Sequence, residues 1–140
     1  MALWIALSEH HASVDPLFAL RPDAGAEIQR LLAATLRDPD SAIFVYERDG
    51  ALLGFCTARI DRAPPIQVEV QRAEITDLMV SAQERRLGVG RALAERALVW
   101  VEERGVERCE VRVAGANTEG QRFWRSIGFG DLMDVLQRRL

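Results

Sequence analysis

Between Glu74 and Glu103 the hydrophobic period of the chain changes once, and no other feature constrains the fold as tightly. Ala73 to Val80 reads as a strand. A polar segment carrying Arg85, Arg86, Gly88 and Gly90 follows. Residues 90–104 then read as an amphipathic helix with Leu93, Ala97, Leu98 and Val101 on one face. A helix start leaves about four amides without partners, and with the helix dipole these attract an anion. Glycines at 88 and 90 let the backbone approach phosphate oxygens closely, and Arg85, Arg86 and Arg91 add positive charge. The segment reads as a diphosphate cradle. The plainer alternative is that the two glycines only turn a strand into a helix.

The other elements follow from shorter signals. Residues 3–7 read as a first strand. Asp15 to about Arg37 reads as two helical pieces parted near Pro22 and Gly25. Ala42–Glu47 and Leu52–Thr57 flank Asp49-Gly50, a strong hairpin signal because both turn residues tolerate positive φ. Ile66–Val70 alternates and extends a strand after the Pro64-Pro65 loop. Glu107–Val113 reads as another strand and Thr118–Ile127 as a short helix, capped by Asn117 or Thr118 and ended by Gly128. Phe129 to Arg139 reads as a last strand or hairpin. The order β-α-α-β-β-β-α-β-α-β predicts an α/β (α+β) domain, a mixed sheet with helices packed on it.

Composition removes several chemistries. All 18 basic residues are arginine, which excludes a lysine Schiff base, a lysine general base and a P-loop lysine. At 140 residues, 49% apolar and 28% charged, the chain reads as one globular domain over residues 1–140. Six arginines face ten acids in residues 1–70, and twelve face eleven in residues 71–140. That acidic balance argues against nucleic acid as a partner. The apolar Met1–Leu7 lacks the basic start of a signal peptide, and no run approaches the roughly 20 apolar residues that cross a bilayer. Cys56, Cys109 and the pair His10-His11 offer neither metal spacing nor a disulfide framework. The expectation is a soluble, cytoplasmic protein with no metal and no membrane partner.

Gly88-x-Gly90-x-x-Leu93, with Glu110 about 20 residues on, is an incomplete dinucleotide fingerprint. Gly88 comes eight positions after Val80, whereas a dinucleotide fold turns directly after its strand. A different resemblance fits better. Arg85-x-x-Gly88-x-Gly90 resembles the acetyl-CoA signature of the GNAT superfamily of N-acyltransferases, Gln/Arg-x-x-Gly-x-Gly/Ala. Asn117 followed by Phe123-Trp124 and Gly128-Phe129 resembles that family's Asn…Phe-Tyr-x-x-x-Gly-Phe block, and the hairpin ending in Leu52-Leu53-Gly54 is similar to its second and third strands. The match is good from about residue 41 to 129.

The resemblance implies a GNAT fold: six to seven strands, mostly antiparallel, flanked by about four helices and splayed between strands four and five, here residues 73–80 and 107–113. It implies acetyl-CoA as co-substrate and an acetyl transfer to a primary amine by direct attack in a ternary complex, in a monomer or homodimer. The diphosphate falls on Arg85, Arg86, Leu87, Gly88, Val89, Gly90 and Arg91, and pantetheine on the main chain of Leu78, Met79 and Val80. Asn117 falls at the family's amide contact to CoA. Glu74 stands at the offset of a catalytic glutamate in the histone-acetylating branch and is the first candidate for the base. Asp77 is the second, pointing to the other face unless a bulge intervenes. Trp124 replaces the tyrosine that protonates the leaving thiolate, so it packs against pantetheine instead, or fills the core. Tyr46, the only tyrosine, is the substitute acid the chain offers. The alternative reading is a CoA-binding or sensing protein that turns nothing over.

His10-His11 and Pro64-Pro65 are expected in loops near the acceptor, and Cys56 and Cys109 in the core. The negative first half mildly favours a cationic amine.

Overall fold

A computed structural model describes all of residues 1–140. Four α-helices and four strands follow in the order α1 (Ala2–Val14), α2 (Gly25–Arg37), β1 (Ser41–Arg48), β2 (Ala51–Arg62), β3 (Gln71–Val80), α3 (Val89–Glu103), β4 (Cys109–Val111) and α4 (Thr118–Ser126). The strands lie in the order β1-β2-β3-β4. The first three are antiparallel neighbours and β4 joins β3 in parallel. This is an α/β fold with a mixed sheet of four strands, where six to seven were expected.

The β1–β2 hairpin closes through Asp49 and Gly50, with φ of 52° and 78°, as its Asp-Gly signal predicts. α3 packs on one face of the sheet. There Cys56, Ala58, Ile75, Val89, Leu93, Ala94, Ala97 and Trp124 form the main core. α1 packs on the other face, where Leu7 meets Phe55 and Met79. α2 lies against β1. Gly54 sets how closely α3 approaches: a Cβ there would stand 2.9 Å from the Met79 carbonyl and 3.0 Å from Leu93 Cδ1.

Several segments differ from the sequence reading. Residues 3–7 are not a strand but part of α1, because Leu3, Trp4 and Leu7 follow a helical spacing onto Phe55 and Met79. An apolar run that short carries no periodicity to separate the two states. His10 and His11 are therefore on a helix, not in a loop. Of the two helical pieces expected from Asp15 to about Arg37, the second is α2, but the first is only one 3-10 turn, Pro16–Phe18, which the Asp15 carboxylate starts by accepting from the Leu17 amide at 2.9 Å. Ile66 and Val68 are fully exposed, and β3 starts only at Gln71. Residues 130–140 form no strand and their backbone makes no hydrogen bond, which removes the C-terminal strands from the expected count. No helix is long and apolar enough to cross a membrane.

Cys56 and Cys109 are free thiols, pushed by burial up to about 12 and about 11. Substituting Gly54 by alanine is expected to cost about 1–3 kcal/mol, because the Met79 carbonyl is backbone and cannot swing aside. Urea unfolding of the variant checks this.

Candidate functional site

β3 ends at Val80, a 3-10 turn covers Ala82–Glu84, and α3 begins at Val89. In between, Arg86 and Gly88 both take left-handed backbone, with φ of 63° and 83°. A left-handed residue among right-handed or extended ones turns successive amides toward one side, which makes an anion-binding concavity. Gly88 occupies the N-cap of α3 and offers no side-chain cap. None of the seven main-chain amides from Arg85 to Arg91 donates a hydrogen bond within the protein. Arg85 and Arg86 are exposed and unpaired, with Arg85 Nε 3.5 Å from the Val80 carbonyl oxygen; Arg91 is bridged to Glu95 at 2.7 Å along the helix. The turn is tied to the β1 end by Arg48, which donates to the buried carboxylate of Glu84.

Beside this loop the sheet opens. Pairing between β3 and β4 covers only Ala73–Ile75 against Cys109–Val111. From Thr76 to Val80 the β3 edge toward β4 has no strand partner, so main-chain groups of Leu78, Met79 and Val80 border a cleft. The side chains of Leu78 and Val80 pack toward α3, and that of Met79 toward α1.

A bulge then changes which carboxylate can act there. On β2, Thr57 faces Asp77 while its neighbour Ala58 faces Ile75, leaving Thr76 as the extra residue on β3. The slip cancels the parity difference, so Glu74 and Asp77 share the α1 face of the sheet. Glu74 is 6% exposed and engaged on both oxygens, by Arg59 Nη2 at 2.7 Å and Arg112 Nε at 3.3 Å. Asp77 Oδ2 accepts from the Thr57 hydroxyl at 2.5 Å and the Thr76 hydroxyl at 2.9 Å, while Oδ1 takes no hydrogen bond. His11 of α1 faces Asp77. Burial and then the charge of His10 push its pKa below the ordinary 6.5, and Asp77 opposes them.

Other singled-out residues are dispersed. Trp124 is buried in the α3-side core, edge-on to Phe123 at 4.9 Å and Phe129 at 5.2 Å. Asn117 caps α4 by accepting from the Gly120 amide at 2.9 Å. Tyr46 packs on β1, two strands from β3. Pro64 and Pro65 precede the start of β3, at the opposite end of that strand from the cleft. Sequence reasoning missed Thr57, Arg59 and Arg112, whose only signal was strand alternation around a bulge it could not locate.

The sequence matches the acetyltransferase (GNAT) family over residues 4–129. It is 34% identical over 131 residues to a mycothiol acetyltransferase of Sanguibacter keddieii, covering 91% of this chain and 39% of that protein. The chain thus spans about two-fifths of the length of that curated relative. Among solved structures, a tetramutant of the BH1408 protein from Bacillus halodurans superposes with a TM-score of 0.87 at 19% identity, over 99% of this chain and 90% of that one. A predicted acetyltransferase from Clostridium acetobutylicum, solved with acetyl-CoA, does so with a TM-score of 0.77 at 15% identity, over 99% and 88%.

His11 supplies a pH test. Its folded-state pKa is lowered, so the unfolded chain binds the proton first, and stability present above about 6.5 is lost as pH falls below it. Urea unfolding between pH 7.5 and 5 should show this decline, and His11→Gln should flatten it.

Proposed function

This chain belongs to the acetyltransferase (GNAT) family, and on that premise we propose that it transfers an acetyl group from acetyl-CoA to a primary amine by direct attack in a ternary complex. We read residues 1–140 as one acetyltransferase domain acting in the cytoplasm. The observation that carries the proposal is the run of seven unsatisfied amides from Arg85 to Arg91, at the start of α3 and beside the open edge of β3.

In this reading the amides of Arg85, Arg86, Leu87, Gly88, Val89, Gly90 and Arg91 hold the CoA diphosphate, with Arg85 and Arg86 adding charge. Main-chain groups of Leu78, Met79 and Val80 align pantetheine and polarise the thioester carbonyl. Bound acetyl-CoA supplies the activated acyl group. Asn117 is the proposed amide contact to CoA, alongside its capping role. The core position of Trp124 supports a packing role in holding α4 rather than contact with CoA.

A primary ammonium must lose a proton before it attacks. We assign that proton to Asp77: it lies where β3 and β4 part, and its Oδ1 is open to an incoming donor. Glu74, the base favoured by motif offset, has both oxygens already turned to arginines. The new N–C bond forms as the C–S bond breaks. The ammonium gives up two protons on the way to the amide: the first passes to Asp77 before attack, and the second leaves the acylated nitrogen and reaches the departing thiolate through water, since Trp124 brings no acidic hydroxyl. A thiol of pKa near 8.5 leaves without a strong acid.

A second reading, CoA binding without turnover, draws on the same Trp124. Calorimetry with acetyl-CoA and a thiol-release assay over a panel of amines separate the two: binding with release supports the enzyme, binding alone the second reading. Asp77→Asn is expected to lower kcat by about 10²-fold or more with acetyl-CoA affinity unchanged. Glu74→Gln is expected to lower kcat less. The reverse order would return the base to Glu74.

A further inference from the structure

The α1 face of the cleft contains an ion group that acetyl transfer itself does not need. Glu74 has a side chain only 8% exposed, yet it sits in a strand whose neighbours on the other face, Ala73 and Ile75, are core. Burying a carboxylate is costly unless it is paired, so its two guanidinium partners are what make this position tolerable. The partners are not equivalent. Arg59 is committed in two directions, to Glu74 at 2.7 Å and to Asp61 at 3.3 Å. Arg112 reaches Glu74 as an ion pair, with Nε 3.3 Å from Oε1, makes no side-chain hydrogen bond, and has a side chain 75% exposed.

Arg112 also stands at a particular place. It follows Val111, the last residue of β4 paired to β3, and so marks the point where the two strands part. It lies on the face that Glu74 and, through the bulge, Asp77 occupy. The other arginines of this face are spent differently. Arg108 grips Glu69 and Glu110, and Arg72 pairs with Glu110. One side of the cleft mouth thus presents an open carboxylate oxygen and the other an open guanidinium edge.

We propose that the acceptor carries a carboxylate besides its amine, and that Arg112 binds that carboxylate while Asp77 receives the amine. Glu74 is a positioning residue in this assignment. Held by Arg59, it draws Arg112 to the edge where β3 and β4 part, and the exposed guanidinium offers the fork of donors that matches a carboxylate. The assignment rests on the acetyltransferase reading above and names its acceptor class. It also replaces the cationic amine suggested by charge averaged over the first 70 residues.

Matched acceptors test it, with acetyl-CoA saturating: phenylalanine against phenethylamine, arginine against agmatine, and 4-aminobutyrate against butylamine. The expected result is a kcat/KM at least tenfold higher for the carboxylate-bearing member of one or more pairs. Arg112→Ala should raise KM for that member about tenfold with kcat nearly unchanged, and leave its decarboxylated partner unaffected. Glu74→Gln should move the same KM in the same direction by less, and Arg112→Lys should restore only part of the loss. Acetyl-CoA calorimetry on each variant reports folding and the cofactor site independently. No preference for the carboxylate in any pair, or an Arg112→Ala effect equal on both members, overturns the assignment. Loss of acetyl-CoA binding by the unsubstituted protein would instead remove the acetyltransferase reading beneath it.

Discussion

Three residues of parallel pairing, Ala73–Ile75 against Cys109–Val111, are all that join β4 to the sheet. The cleft exists because that pairing stops. Beyond Ile75, β3 continues for five residues with one edge open, and its other edge is secured to β2 as far as Gly54 opposite Val80. The strand stays in place because β2 holds its other edge while α3 and α1 pack on its two faces. At Gly54 the missing Cβ lets Leu93 and Val89 of α3 close on the sheet. The start of α3 therefore arrives beside the open edge. An unpaired strand edge and an uncapped helix start are each costly features of a fold. Here they lie together, which is what a substrate needs if it is to satisfy both.

Charge on the α1 face is organised by the same strand. One extra residue at Thr76 brings two carboxylates three positions apart onto a single face. Their surroundings then separate them. Glu74 is enclosed by guanidinium groups, whereas Asp77 is held on one oxygen by the Thr57 and Thr76 hydroxyls and is open on the other. Residue type and motif offset rank these two acids in one order, and their neighbours rank them in the other. The proposed mechanism follows the neighbours, because a proton acceptor needs an oxygen that nothing else already occupies.

Much of the frame was legible in local chemistry. Asp49-Gly50 specifies a tight hairpin through positive φ, Asn117 caps α4, and Gly88 takes the left-handed backbone that opens α3. Each signal works through a backbone angle or a hydrogen bond within a few residues, so no tertiary information is needed to read it. The N-terminal run was not legible. Met1 to Leu7 is apolar at almost every position, and only the contact of Leu7 with Phe55 and Met79 selects helix. The strand expected from Phe129 onward is absent: residues 130–140 make no backbone hydrogen bond, although the outer edge of β4 is free.

The sequence by itself determined the strand–loop–helix unit proposed to hold the diphosphate: two glycines, three arginines and a period change mark it, and a helix start attracts anions through its own amides. It also carried enough motif spacing to identify the family. What only the tertiary structure decided is the arrangement of charge beside the open edge of β3. Which acid is open, which arginine is fixed by a buried carboxylate, and which faces they share all depend on a one-residue slip between β2 and β3. A slip of that kind reverses every side chain beyond it, and it is set by pairing between strands distant in sequence, not by any residue within it.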